Sequence, residues 1–231
     1  LLRNIFSEFS EENDFKFTQI NNETNYTDLS NSTFGNINFD DHSNYLHHYR
    51  DITNSKFKFL QCIRDPRDLL VSATKYHLSS KEEWLYKKEK HFNGFSYNEM
   101  INKFETFEEK CFFEINNASY QTMENLYTCS KILLKTQKNI KFVKLEHLMQ
   151  DYDLLGYKSI FDFLDIDEKY LNSFIKFCIR YSIWNIKEKN ILLNAHIQHK
   201  KPGFWKEELP ESIIDFINNK WPNMIQNLGY N

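Results

Sequence analysis

Arg64-Asp65-Pro66-Arg67-Asp68-Leu69-Leu70-Val71-Ser72 is the stretch of this sequence best equipped for chemistry. Arginine presents a planar fork of donors that matches phosphate or sulfate oxygens. Pro66 suits the first position of a helix, where its missing N–H has no helical partner to lose, and the exposed backbone N–H groups of a helix start attract anions. Ser72 lies on the same helix face as Asp68 by the i, i+4 rule and adds a hydroxyl donor. These residue types describe a phosphate or sulfate site. An arginine before Asp-Pro also serves elsewhere as an ordinary ion-paired strand end.

Two further clusters carry reactive groups. Asp40-Asp41-His42 offers an imidazole that, when neutral, accepts the proton of an attacking hydroxyl. A surface histidine beside two acids is the plain alternative. Lys200-Lys201-Pro202-Gly203-Phe204-Trp205-Lys206 sets two cations before a glycine and two aromatics. Four cysteines (Cys62, Cys111, Cys129, Cys178) lie far apart, without CxxC or metal-ligand spacing. Cys62 and Cys129 sit in or beside apolar runs and read as buried thiols.

The elements that must position these groups follow from apolar periodicity. Leu1, Leu2, Ile5, Phe6 and Phe9 form one stripe of an opening helix. Short strands are expected at Phe15 to Ile20 and around Ile37-Asn38-Phe39, and firmer ones at Phe57 to Ile63 and Ile140 to Leu145. Helices are expected from Pro66, over Ser96 to Lys110 and Ser119 to Gln137 with the serines as N-caps, and over Tyr157 to Leu164, Glu168 to Tyr181 and Glu211 to Leu228. Strands alternating with helices give an α/β class, a mostly parallel sheet with helices on both faces. In such sheets ligands bind at strand carboxyl ends, where Asp40-Asp41-His42 and Arg64-Asp65-Pro66 both fall. No repeat or linker divides the chain, so residues 1–231 read as one domain.

Composition narrows the classes. With 231 residues, 41% hydrophobic and 26% charged, the chain has material for one sizeable core. A net charge of −3 argues against a general nucleic-acid binder, which carries a basic footprint. Its longest apolar runs, such as Ile132-Leu133-Leu134, fall far short of the roughly 20 residues of a membrane-spanning helix. Sequons at Asn22, Asn25, Asn31 and Asn117 are what chance supplies to so asparagine-rich a chain, and they do not decide the compartment.

The stretch from Arg64 to Ser72, closed by Tyr76-His77, resembles the 3′-phosphate-binding segment of the sulfotransferases that use 3′-phosphoadenosine 5′-phosphosulfate (PAPS), with the pattern Arg, any residue, Pro, any residue, Asp, then Val-Ser. The Lys200 to Lys206 stretch resembles the family's carboxy-terminal loop, a basic cluster before Gly, any residue, Trp, Lys. His42, 22 positions before Arg64, falls where cytosolic members carry the base for the acceptor proton. Lys144-Leu145-Glu146-His147-Leu148 resembles the family's strand-ending Tyr-Glu-Asp-Leu segment, with Leu145 in place of Tyr, and Tyr157 to Ile166 resembles the helix that follows. The likeness spans residues 37 to 230 and is strongest at 64–77 and 200–206.

The resemblance implies a P-loop-like three-layer fold, PAPS as sulfate donor without a metal, and a small-molecule or carbohydrate acceptor. It implies that Arg64, Ser72, Lys200, Lys201 and Gly203 hold the donor, that Trp205 anchors the loop by burial, and that His42, or alternatively Asp41, takes the acceptor proton. Asp40 and Gln198 stand where basic residues are usual, which keeps open a catalytically weak nucleotide-binding relative; a P-loop small-molecule kinase ranks behind it. Leu1 to Phe9 resembles the helix that follows the family's phosphosulfate-binding loop, so that loop and its lysine are expected upstream of Leu1. Residues 79 to 115, with Trp84, His91, Phe92, Phe95 and Tyr97, fall where the family contacts acceptors, although core packing is expected for most of these aromatics.

Overall fold

Parallel pairing is the feature that links the strands. A computed structural model describes residues 1–20, 36–40, 58–135, 138–182, 184 and 201–231 of the chain. Helix α1 (Leu2–Glu12) precedes strands β1 (Lys16–Ile20) and β2 (Asn36–Asp40). Strand β3 (Phe59–Ile63) leads through Arg64 and Asp65 into α2 (Pro66–Ser79). Then come α3 (Tyr97–Ile101), α4 (Phe107–Asn116) and α5 (Tyr120–Leu133). Strand β4 (Ile140–Lys144) runs directly into α6 (Leu145–Met149), followed by α7 (Leu155–Phe163) and α8 (Leu171–Tyr181). The chain closes with α9 (Trp205–Glu208), α10 (Glu211–Lys220) and α11 (Met224–Asn227).

Among the described residues the strands form two parallel pairs, β1 with β2 (Lys16 opposite Asn36) and β3 with β4 (Phe59 opposite Ile140). The α/β class with parallel pairing therefore holds. No described helix is long and apolar enough to cross a membrane.

Residues 1–63 and 136–189 form one compact unit. Its core is aromatic: Phe9 packs edge-on against Phe174 at 5.7 Å between ring centroids, and Phe161 and Phe6 close on the same Phe174 ring. Ile5, Phe6 and Phe9 are buried, so the stripe read from the sequence is the face that meets this core. Beside this face α1 is tied to α8 by polar contacts, with Glu8 on Arg180 and Tyr181, and Glu12 on Lys176 and Ser173. Asp151 accepts the backbone N–H groups of Gly156 and Tyr157 at 3.0 and 2.9 Å and so satisfies donors at the start of α7.

The second compact unit comprises residues 64–135 and 190–231. Leu85, Phe92, Tyr97, Ile101 and Phe113 make a small core, into which the aromatic-rich segment folds three of its rings. Trp84 and Phe95 instead remain 44% and 41% exposed, which separates them from the packing role expected for most of these aromatics.

Several boundaries differ from the sequence reading. Ser96 to Lys110 is two helices, because Thr106 and Glu109 form a second capping box after the one made by Ser96 and Glu99. Ser119 stands at the N-cap of α5, yet its hydroxyl donates to Glu114 and does not cap the helix. Glu211 to Leu228 breaks at Trp221-Pro222-Asn223, where Pro222 has no N–H to continue the ladder and Asn223 takes φ +61°. Glu168 to Tyr181 opens with one 3-10 turn (Glu168–Tyr170) before α8. Leu145 belongs to α6 and not to the strand before it. Cys62 is only partly covered, whereas Cys111, Cys129 and Cys178 are buried. Burial pushes the Cys111 and Cys129 thiols up to about 12, which leaves them protonated and unreactive at neutral pH.

Candidate functional site

The start of α2 is built by Asp65. Its carboxylate accepts the backbone N–H of Arg67 at 2.9 Å, an N-cap, and also takes the Arg67 side chain through Nε at 3.0 Å and a terminal nitrogen at 2.8 Å. Both side chains are nearly buried, so the pair is a shielded, bidentate one. Pro66 occupies the first helical position. The arginine fastened by this Asp-Pro turn is therefore Arg67. Arg64, the residue immediately after β3, is half-buried, with its guanidinium 5.8 Å from the Phe204 ring.

Asp68 is 1% exposed, and among the described residues no lysine or arginine side chain hydrogen-bonds to it. Its two oxygens accept backbone N–H groups from the far end of the sequence, Gly203 at 2.6 Å and Trp205 at 2.9 Å. Burial raises the Asp68 carboxyl above its ordinary range, and the two N–H donors oppose that rise. Asp65 adds to the rise and Arg64 counters it. Gly203 has φ +86°, a left-handed conformation that side-chain-bearing residues adopt at a cost. A β-carbon there would meet nothing within 4 Å, so the glycine is needed for its backbone angle and not for space.

The loop ending in α9 is held at three successive residues. Gly203 meets Asp68, the Phe204 ring faces Arg64, and Trp205 lies under the Arg67 guanidinium at 3.7 Å while donating its own N–H to Asp68. Glu208 pairs with Lys75 two turns further along α2. Trp205 is only partly buried, which corrects the expectation that burial anchors it. Cation–π stacking and a backbone hydrogen bond hold it instead.

Ser72, one turn beyond Asp68 on the same face of α2, is half-buried and makes no hydrogen bond through its hydroxyl among the described residues. Lys201 is exposed two residues before Gly203. Thus Arg64 and Gly203, both expected at the site, are joined through Phe204 and Asp68, with Ser72 and Lys201 on the two segments so joined. His42, Asp41, Lys200 and Gln198 lie outside the described residues. Asp40 is the last residue of β2.

Sequence reasoning assigned no role to Asp68 or Arg67. A carboxylate inside an anion-binding segment reads from residue type alone as a surface acid. Its partners are backbone donors, which no residue type reveals; the available signal was its place in the motif, one turn before Ser72.

The far end of α2 is fixed by a second polar cluster. Glu114 is fully buried and receives Tyr97 Oη at 2.5 Å, Ser119 Oγ at 2.5 Å and His77 Nδ1 at 2.8 Å. Burial, with the Glu114 charge beside it, raises the Tyr97 phenol far above its ordinary value, so it stays a donor. This network ties α2 to α3 and α4 and gives the Tyr76-His77 end of the motif a structural task.

Comparison with known proteins adds one match. The model of the sulfotransferase domain matches residues 10–224. No curated protein sequence matches the chain.

Proposed function

Because the chain belongs to the sulfotransferase family, we propose that it moves a sulfuryl group from PAPS to a hydroxyl or amine of a small-molecule or carbohydrate acceptor. The observation that carries this reading is the docking of the 201–208 segment onto the start of α2 through Asp68, Arg64 and Arg67. It joins the two segments whose residue types suit a 3′-phosphate. The half-buried Ser72 hydroxyl and the helix start beside Arg64 fit a doubly charged anion, since hydrogen bonds to charged groups are the strong ones.

Bound PAPS supplies an activated sulfuryl group on its 5′-phosphate. Arg64 and Ser72 would bind its 3′-phosphate, with Lys200 and Lys201 beside it on the loop that Gly203 turns. His42, or Asp41 in its place, would accept the acceptor proton while the acceptor oxygen bonds to sulfur and the sulfur–oxygen bond to the donor's 5′-phosphate breaks, so that 3′,5′-bisphosphoadenosine leaves. Little covalent work falls to the protein, so rate comes from positioning and from cations beside the transferring charge. The reading takes residues 1–231 as one sulfotransferase-like domain of the P-loop-like, three-layer type.

The test is direct transfer. Protein incubated with PAPS and a panel of phenols, sterols and sugars should release 3′,5′-bisphosphoadenosine only when an acceptor is present, and His42→Ala should reduce turnover by about 10²–10⁴-fold if His42 is the base. Turnover supported by ATP and Mg²⁺ in place of PAPS would overturn the proposal.

A further inference from the structure

We infer that Asp68 is a positioning residue that latches the 201–206 loop to α2, and that selective grip on a nucleotide's 3′-phosphate depends on this latch. The inference rests on the donor site proposed above. A carboxylate 1% exposed must be matched by donors, since a buried charge without partners is heavily penalised. Here the matching donors are two backbone N–H groups 135 and 137 positions away in sequence.

Backbone donors make the contact specific to a shape. Two N–H groups two residues apart converge on one carboxylate, and the Gly203 φ of +86° lies between them. Asp68 therefore selects one conformation of the loop that carries Lys201. Since Asp68 sits one turn before Ser72, the loop is fastened to the same face of α2 that presents the hydroxyl. The arrangement also resolves a conflict of charge. A carboxylate beside a phosphate site repels the ligand unless its own charge is met, and the loop's two N–H groups meet it.

Asp68→Asn tests this, because a carboxamide has one acceptor oxygen and its NH₂ cannot receive an N–H. Amide exchange by mass spectrometry should show lost protection at Gly203 and Trp205. Binding of 3′,5′-bisphosphoadenosine should weaken about tenfold, as expected for one lost charge-assisted hydrogen bond, while 5′-AMP binding is unchanged; the donor KM should rise by more than kcat falls. Gly203→Ala strains the same loop from its other side and should lower the same selectivity, which keeps the test decisive if the first variant folds poorly. Wild-type amide protection in Asp68→Asn, or lost protection with intact selectivity, would overturn the latch. Wild-type protein that binds the two nucleotides equally would instead overturn the donor reading, and with it the dependence on the latch, while loop protection is read independently of either nucleotide.

Discussion

At the scale of single residues, the proposed donor site rests its affinity on Arg64 and Ser72. Hydrogen bonds to charged groups contribute about 1.5–3 kcal/mol each, so Arg64→Ala should weaken 3′,5′-bisphosphoadenosine binding roughly ten- to hundredfold. Ser72→Ala should cost somewhat less, and neither should change 5′-AMP binding; calorimetric titration reads both. Arg64, Ser72 and Lys201 entered the proposal through their side-chain chemistry, and Gly203 through the pattern of its loop. Asp68 was legible as part of a pattern but not in its role, since its partners are main-chain groups. Trp205 was legible as an anchor, although by the wrong mechanism: an aromatic beside Arg67 can be held by stacking while still partly exposed.

At the scale of elements, caps decided what periodicity could not. Apolar spacing continues from Tyr97 through Phe104 to Phe107, which is why one helix was expected, yet Thr106 with Glu109 starts a new one. Glu99 closes the first capping box and also binds Lys88. The Lys88 hydrogen bond, then the Ser96 backbone N–H, pull the Glu99 carboxyl down to about 2. Its folded pKa is thus below the unfolded one, so its contribution is fully present above the ordinary glutamate range. That contribution is lost as pH falls from there toward 2. Glu99→Gln should remove this part of the acid dependence, measured as the difference in thermal midpoint between neutral pH and pH 3 for variant and parent. The four strands among the described residues were all legible to within two residues, because β-branched and aromatic runs bounded by polar chain leave few alternatives. Parallel pairing followed from the long helical stretch between β3 and β4, which a hairpin cannot contain.

At the scale of the whole molecule, each compact unit has its own core, and the stability of each should respond to its central rings. Phe174 is fully buried against Phe6, Phe9 and Phe161, so Phe174→Ala should destabilise by about 3–5 kcal/mol in urea unfolding. The match to the sulfotransferase domain runs through both units, from residue 10 to 224. The central claim is that this chain recognises a nucleotide by its 3′-phosphate, and the most direct measurement is calorimetric titration with 3′,5′-bisphosphoadenosine beside 5′-AMP and Mg²⁺-ATP. The bisphosphate should bind at least tenfold more tightly than either competitor, and Arg64→Ala should abolish the difference. Equal binding of all three, or preference for Mg²⁺-ATP, would contradict it.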